Sequence, residues 1–502
     1  MTYTRPSSGH ATAPEQFRAR KRHDNTTGPR RRRVRRLLAV TGSVLLFITT
    51  FASMLFAGAL VTNHGMHQPV PTRHGGSVQT AARNLDAAAG PVDMRHGRPL
   101  VVAVVAGTSG TVASDLLAPY DIFASSPAFH TYVVAAHLGP VPLEGGPALV
   151  PTHTFAEVDT HPALKPDLVV VPALSRPTDK AETALRNWVT TQHDHGTRVL
   201  GVCAAAVVLA ETGMLDGLHA TSHWSRISQL QSSRPAVHWV RGRRWVEDGT
   251  VTTTAAVSSG VPASLHLVAE LAGPAEAQRV ADLHPELGWS PDQSTEIRKD
   301  HFAAGDWPVG LNFVEPWFRP TVGIALADGV DELDATAAFE VYTQSAAART
   351  VALAAGTSVR TRHGLVLLTT STHEDPWLTR IVVPGVADID ASLHRWAASR
   401  HVDVESLKAN AGHADAGRDG GGGFAAALQN LADHSGTVTA SSTAKMIGYP
   451  TTSIDLESSH DPDVRAVVLV AASLAVSVLV GLAPAFVSRR RRRLAAGGAG
   501  SA

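Results

Sequence analysis

Two stretches of the chain are apolar without interruption. Residues 37–61 and 466–487 hold no charged side chain over 25 and 22 positions. A helix needs about 20 residues to cross the hydrocarbon of a bilayer, so each stretch reads as a transmembrane helix. Between them, short Val-rich runs alternate with longer amphipathic ones. Strands are expected at 100–106, 131–136, 168–172 and 198–202, and helices at 112–125, 180–193, 204–215, 261–271 and 274–283. Apolar strands alternating with helices predict an α/β fold, a doubly wound parallel sheet covered on both faces. A second unit begins near residue 320, with strands at 321–326, 349–354 and 381–384 and a helix at 333–347.

The two units share more than pattern. Asp115-Leu-Leu-Ala-Pro-Tyr-Asp121 in the first aligns with Asp334-Ala-Thr-Ala-Ala-Phe-Glu340 in the second. A late helix aligns as well, Leu271-Ala272 before Gly273 against Leu431-Ala432 before Gly436. Two tandem copies are therefore expected. Where the first carries the chain's cysteine, the second has residues 405–424, with glycine at every position from Gly420 to Gly423. That stretch reads as a flexible loop, and the second copy as degenerate. The expected organisation is a tail (1–36), a transmembrane helix (37–61), a linker (62–97), the first copy (98–289), a linker (290–319), the second copy (320–457), a transmembrane helix (466–487) and a tail (488–502).

Charge adds direction. The 44 basic and 44 acidic residues cancel in sum but not in place: residues 1–36 carry +9, 62–465 carry −14, and 489–493 add +5. Arginine at the outer end of both apolar runs predicts two cytoplasmic termini, with 62–465 outside the membrane. A cleaved signal peptide competes for the first run, since Ala57-Gly58-Ala59 resembles a processing site, but signal cores run only about 7–15 residues. Membrane topology and anionic lipid account for the basic tails. With aromatics at 5%, no nucleic-acid partner is expected. A single cysteine excludes a disulfide framework. His64, His67, His74, His193 and His195 read as solvated, so no metal site and no cofactor are expected.

The cysteine has a particular setting. Arg198-Val-Leu-Gly-Val-Cys203 is a strand, and Ala204 opens the helix that follows. Small residues on either side allow a tight turn, the nucleophile-elbow arrangement with Cys for Ser. The elbow presents the side chain at the carboxyl edge of the sheet. A helix N-terminus at that point would favour the thiolate. The alternative is a cysteine serving as a small core residue.

Gly201-Val202-Cys203-Ala204-Ala205-Ala206, Leu209-Ala210 with Gly213, Leu215 and Gly217, and Thr221-Ser222-His223-Trp224 resemble the ThiJ/PfpI superfamily, whose fold is that of class I glutamine amidotransferases. Ala256-Val257-Ser258-Ser259-Gly260 extends the resemblance, which covers about residues 98–289. Within the superfamily, the sequence is most similar to the N-terminal domain of AraC-family regulators and to isonitrile hydratases. The resemblance implies a flavodoxin-like sheet, Cys203 as nucleophile, Asp115 as an acid facing the thiol, and His223 as a third catalytic residue, with a helix-start or packing role as its alternative. Departures weigh against activity: Ala204 and Ala205 replace a Thr and a Gly, and superfamily proteases carry a His where Ala204 stands. His284-Pro285-Glu286 resembles the His-x-Glu pair of glutamine amidotransferases but reads as a helix-end turn.

Three functions follow. The first is a membrane-tethered protein that binds a small-molecule ligand or regulates, in contact with membrane lipid and able to form a homo-oligomer. The second is a Cys-dependent hydrolase or hydratase using Cys203 and Asp115. The third is a structural scaffold.

Overall fold

The computed structural model describes residues 27–66, 98–285, 289–369, 378–385, 389–407, 423–450, 456 and 464–497. Most of the expected first linker, and of the glycine-rich loop, lies outside them. The chain forms two compact units, Met1–Ser53 with Ser473–Ala502, and Met54–Ala472.

The first unit contains most of two long helices, Thr27–Met66 and Val464–Gly497. Within them, Leu37–Asn63 and Val464–Arg490 are long and apolar enough to cross a membrane, consistent with a two-pass topology. Gly481 permits close approach, since an added Cβ would lie 3.0 Å from the Ser43 carbonyl and 3.1 Å from Phe47 Cβ. Leu37, Leu38, Val44, Leu479 and Phe486 expose their side chains.

The second unit is a mixed α/β structure. Its larger sheet has seven strands in the order β10-β11-β7-β6-β1-β2-β5. In chain order these are β1 (Leu100–Val105), β2 (Phe129–Ala135), β5 (His153–Thr154), β6 (Leu168–Val171), β7 (Arg198–Gly201), β10 (Trp245–Asp248) and β11 (Val251–Thr254). All neighbours are parallel except β10 with β11. The unbroken apolar run of β1 follows from burial on both faces. Val102 and Val104 enter one core with Leu116, Phe123 and Leu265; Val101, Ala103 and Val105 enter another with Trp188, Val189 and Leu209. Successive side chains of a strand point to opposite faces, so both sets must be apolar.

A second sheet has the order β13-β12-β16-β17, all parallel. It comprises β12 (Thr321–Ala325), β13 (Arg349–Leu353), β16 (Leu378–Val383) and β17 (Asp403–Ser406). The β17 strand includes residues 405 and 406, which the sequence assigned to a loop. A third sheet, β14-β15-β4-β3, is antiparallel and draws on both halves. There β3 (Val141–Pro142) and β4 (Ala148–Val150) meet β14 (Ser358–Arg360) and β15 (Val366–Leu368), with Leu149 opposite Leu367. A short pair, β8 (His219–Ala220) with β9 (His238–Trp239), completes the strands among the described residues.

The helices Ala113–Ala124 and Glu332–Ser345 pack together at the centre. Phe123, Phe339, Tyr342, Leu428 and Leu431 share one core. The late helix of the second half is two helices, Phe424–Ser435 and Thr437–Ile447, parted by Gly436 at φ 83°. The segment 290–319 contains a helix, Trp307–Val314, and is packed in place. Thr62 donates to the Phe313 carbonyl at 2.6 Å, and Arg465 to the Glu315 and Trp317 carbonyls at 3.0 and 2.8 Å.

Candidate functional site

Cys203 stands at the turn that follows a strand. β7 ends at Gly201, where an added Cβ would lie 2.7 Å from Leu209 Cδ1 and force that side chain to shift. Gly260 is held as close, with a Cβ 2.9 Å from Val202. Cys203 follows at φ 56°, a left-handed conformation that costs a non-glycine residue on the order of 1–3 kcal/mol. Its backbone N–H donates to Thr254 Oγ1 at 2.9 Å, and Ser222 Oγ donates to its carbonyl at 3.4 Å. These contacts tie the turn to the strand and loop beside it.

The helix after the turn is shorter than the sequence implied. A 3-10 turn, Cys203–Ala205, leads into an α-helix of only six residues, Ala206–Glu211. Cys203 is buried, and burial is the main cause that pushes its thiol pKa well up, followed by Asp115 and Glu340. The expected thiolate is therefore not favoured. A helix terminus contributes about 0.3–1 kcal/mol to an anion, while an uncompensated buried charge costs several kcal/mol.

Asp115 lies in the first turn of the 113–124 helix, fully buried. Its Oδ2 accepts from the Ala173 N–H at 3.1 Å, and its Oδ1 has no hydrogen-bond partner among the described residues. Burial, then Glu340, holds its pKa well above the usual carboxylate range, against the pull of the Ala173 N–H. Cys203 and Asp115 are near enough to act on one another electrostatically, and burial favours the protonated form of each.

Two further acids belong to the site. Glu340, from the second half, accepts from Ser114 Oγ at 2.7 Å and from Gln344 Nε2 at 2.9 Å. Burial raises its pKa to about 7. Glu144, in the turn between β3 and β4, is also raised by burial to about 7. Glu340 closes the repeated Asp334–Glu340 motif and Glu144 stands in none, and only the folded chain brings them near Cys203.

His223 is engaged elsewhere. It caps the helix Trp224–Ser233, its Nδ1 accepting from the Ser225 N–H at 3.3 Å and meeting Ser225 Oγ at 2.7 Å. Its Nε2 lies 2.7 Å from the Met446 carbonyl, which only accepts, so the proton is on Nε2. Burial lowers its pKa to about 4, keeping the ring neutral. Both nitrogens are thereby occupied, one of them by the second half. His284 ends the Pro274–Ala281 helix region and lies beside Asp121, not Cys203.

A cavity of about 280 Å³ adjoins Ser222, whose Oγ donates to the Cys203 carbonyl. Thr221, Ser222, Ala256 and Ser259 form its wall on the elbow side, and Gly448 and Tyr449 come from the second half. Arg241, Arg244, Arg298 and Lys299 line it against two acids, Glu296 and Asp300.

An elbow cysteine with a buried acid on a parallel sheet defines a class of protein, and comparison specifies it. Residues 101–270 match the DJ-1/PfpI family. The chain is 33% identical over 169 residues to an isonitrile hydratase of Pseudomonas putida, covering 70% of that protein. It is 31% identical over 156 residues to the HTH-type transcriptional regulator CdhR of Pseudomonas aeruginosa, covering 46% of it. The chain belongs to the DJ-1/PfpI family. It spans about half the length of the regulator it matches. A solved ThiJ/PfpI family protein from Pseudomonas syringae is 26% identical, with 41% of this chain and 83% of that one covered at a TM-score of 0.34.

Proposed function

We infer that this is a two-pass membrane protein whose extracytoplasmic DJ-1/PfpI unit binds a small polar molecule. The observation that carries the reading is the state of Cys203. It is a buried thiol among three protonatable acids, beside a cavity rich in cationic side chains. Such a thiol is a poor nucleophile, whereas the cavity offers guanidinium and ammonium groups to a carboxylate or similar anion.

Membrane placement, with both termini cytoplasmic and 62–465 outside, has support from the arginine clusters flanking both long helices. Exposed Trp307, Trp317 and Phe318 add to it. They lie on the segment that Thr62 and Arg465 grip, as aromatic residues do at a membrane interface.

The halves 98–289 and 320–457 read best as tandem copies of one doubly wound, flavodoxin-like unit. The orders β2-β1-β6-β7 and β13-β12-β16-β17 correspond strand for strand. The cross-contacts correspond too. Glu340 meets Ser114 at the start of the 113–124 helix, and Asp121 accepts from the Leu333 N–H at 3.3 Å at the start of the 332–345 helix. The second copy's elbow position falls after Leu407, outside the described residues. In this reading, the cationic cavity takes the ligand, Asp115, Cys203 and Glu340 form the buried group coupled to it through Ser222, and His223 positions the adjoining loop.

The relative named an isonitrile hydratase motivates the second reading, addition of water to an electrophilic carbon by Cys203 with Asp115 as proton donor. The test is turnover of a simple alkyl isonitrile to its N-formyl amine by the full chain in detergent. Binding without catalysis predicts no rate above that of Cys203→Ser. A rate that Cys203→Ser abolishes would establish the hydratase.

A further inference from the structure

The end of the 113–124 helix away from Asp115 carries a second cluster of buried titratable groups, unconnected with the Cys203 chemistry. Asp121 and Glu332 are fully buried, and His284 nearly so. His363 Nδ1 lies 3.0 Å from Glu332 Oε2 and 3.3 Å from Asp121 Oδ1, and His284 Nε2 lies 3.7 Å from the same Asp121 oxygen. Asp331 closes the group. Two sets, Asp121 with Glu332 and His363, and Asp121 with His284 and Asp331, each bring their donor atoms within 4.8 Å of one another.

These separations suit a metal ion. Four ligands at about 2.0–2.1 Å around a tetrahedral centre lie about 3.3 Å from each other. His363 Nδ1 stands 3.0 Å from Glu332 Oε2 and 3.3 Å from Asp121 Oδ1, close to that value, and the atoms are an imidazole nitrogen and carboxylate oxygens, the donors zinc accepts. Charge points the same way. Three carboxylates converge, and the arginine that pairs with any of them is Arg362, on Asp331. A bound cation would stabilise carboxylates buried this closely.

We propose that Asp121, Glu332 and His363 bind one divalent transition-metal ion, Zn²⁺ by donor chemistry, that clasps the two halves of the chain together, with His284 and Asp331 beside it. Asp121 and His284 come from the first half, and Asp331, Glu332 and His363 from the second. Sequence spacing could not reveal the set, because its members lie far apart along the chain. Ser125 Oγ, 3.3 Å from His363 Nε2, orients the ring from behind, as an outer-shell partner of a metal-bound histidine does. The proposal is independent of whether Cys203 binds or reacts.

The test uses the full chain in detergent, stripped with a chelator and titrated with ZnCl₂ and, separately, CoCl₂. The expected result is one buried-site equivalent per chain, with affinity falling at least about ten-fold in His363→Ala and in Asp121→Asn. Cobalt should give the intense visible absorption of a four-coordinate site in the wild type. His266→Ala, in the exposed group Glu247–His266–Glu270, should leave both unchanged. Should His363→Ala fail to fold, His363→Gln and the wild-type cobalt spectrum decide. Absence of a four-coordinate cobalt spectrum would overturn the proposal. Binding that survives the loss of His363 or vanishes with His266 would overturn it too.

Discussion

Glu340 accepts a 2.7 Å hydrogen bond from Ser114 Oγ, one residue before Asp115. A carboxyl group of the second half thus stands against the helix turn that carries the first half's acid. Its pKa is raised by burial from 4.5 to about 7. The sign follows directly. The folded state holds a proton that the unfolded state releases, so its stabilising effect is complete below about pH 4.5 and is lost as pH rises through 7. Glu340→Gln removes that dependence. The stability of the variant relative to wild type should shift in the variant's favour by about 3 kcal/mol between pH 4 and pH 8. Denaturant unfolding at a series of pH values measures this; parallel curves would show that Glu340 titrates normally.

His223→Ala separates a positioning role from a catalytic one. The change deletes a helix cap and the link to Met446. It should cost about 1–3 kcal/mol of stability. The reactivity of Cys203 toward an alkylating agent should stay within two-fold. A larger change in reactivity at unchanged stability would return His223 to the reacting group.

Gly145→Val tests how the halves are joined. Gly145 has φ +72°, an added Cβ would strike the Thr343 side chain, and its carbonyl accepts from Thr350 Oγ1. Strain and overpacking together should destabilise the unit by at least about 2 kcal/mol. Limited proteolysis should then cut between residues 289 and 320 faster than in wild type. Unchanged cleavage would mean that the hairpin contact contributes little.

Much of this architecture was legible from apolar runs alone. β1, β6 and β7 are Val-rich because both faces are buried, and the elbow announced itself through Gly201 and the alanines after Cys203. What escaped were short or cross-half features. The strands β3, β4, β14 and β15 are two or three residues long, too short for any periodicity to register, yet they join the halves. The β10–β11 hairpin was signalled by Asp248-Gly249 and passed over. Gly436 was noted in the alignment but not as the break between two helices. Glu340 reads as one polar position on a helix, and only tertiary packing makes it part of the Cys203 site. A helix start favours the thiolate, while burial and the acids around Cys203, which only the folded chain shows, oppose it.

Membrane topology is tested by reporter fusions at residues 1 and 502. Both should be active only as cytoplasmic reporters, and a fusion inserted after residue 98 only as an external one. An external C-terminus would refute the two-pass layout.

The most direct measurement is the alkylation rate of Cys203 in the full chain, followed against pH for wild type, Asp115→Asn and Glu340→Gln. The chain has a single cysteine, so every modification reports on this site. A thiol buried among acids predicts a midpoint above the reference value of about 8.5 in wild type, moving down in both variants. A wild-type midpoint well below 8.5, or one that neither substitution moves, would contradict the account and leave Cys203 an activated nucleophile or an isolated one.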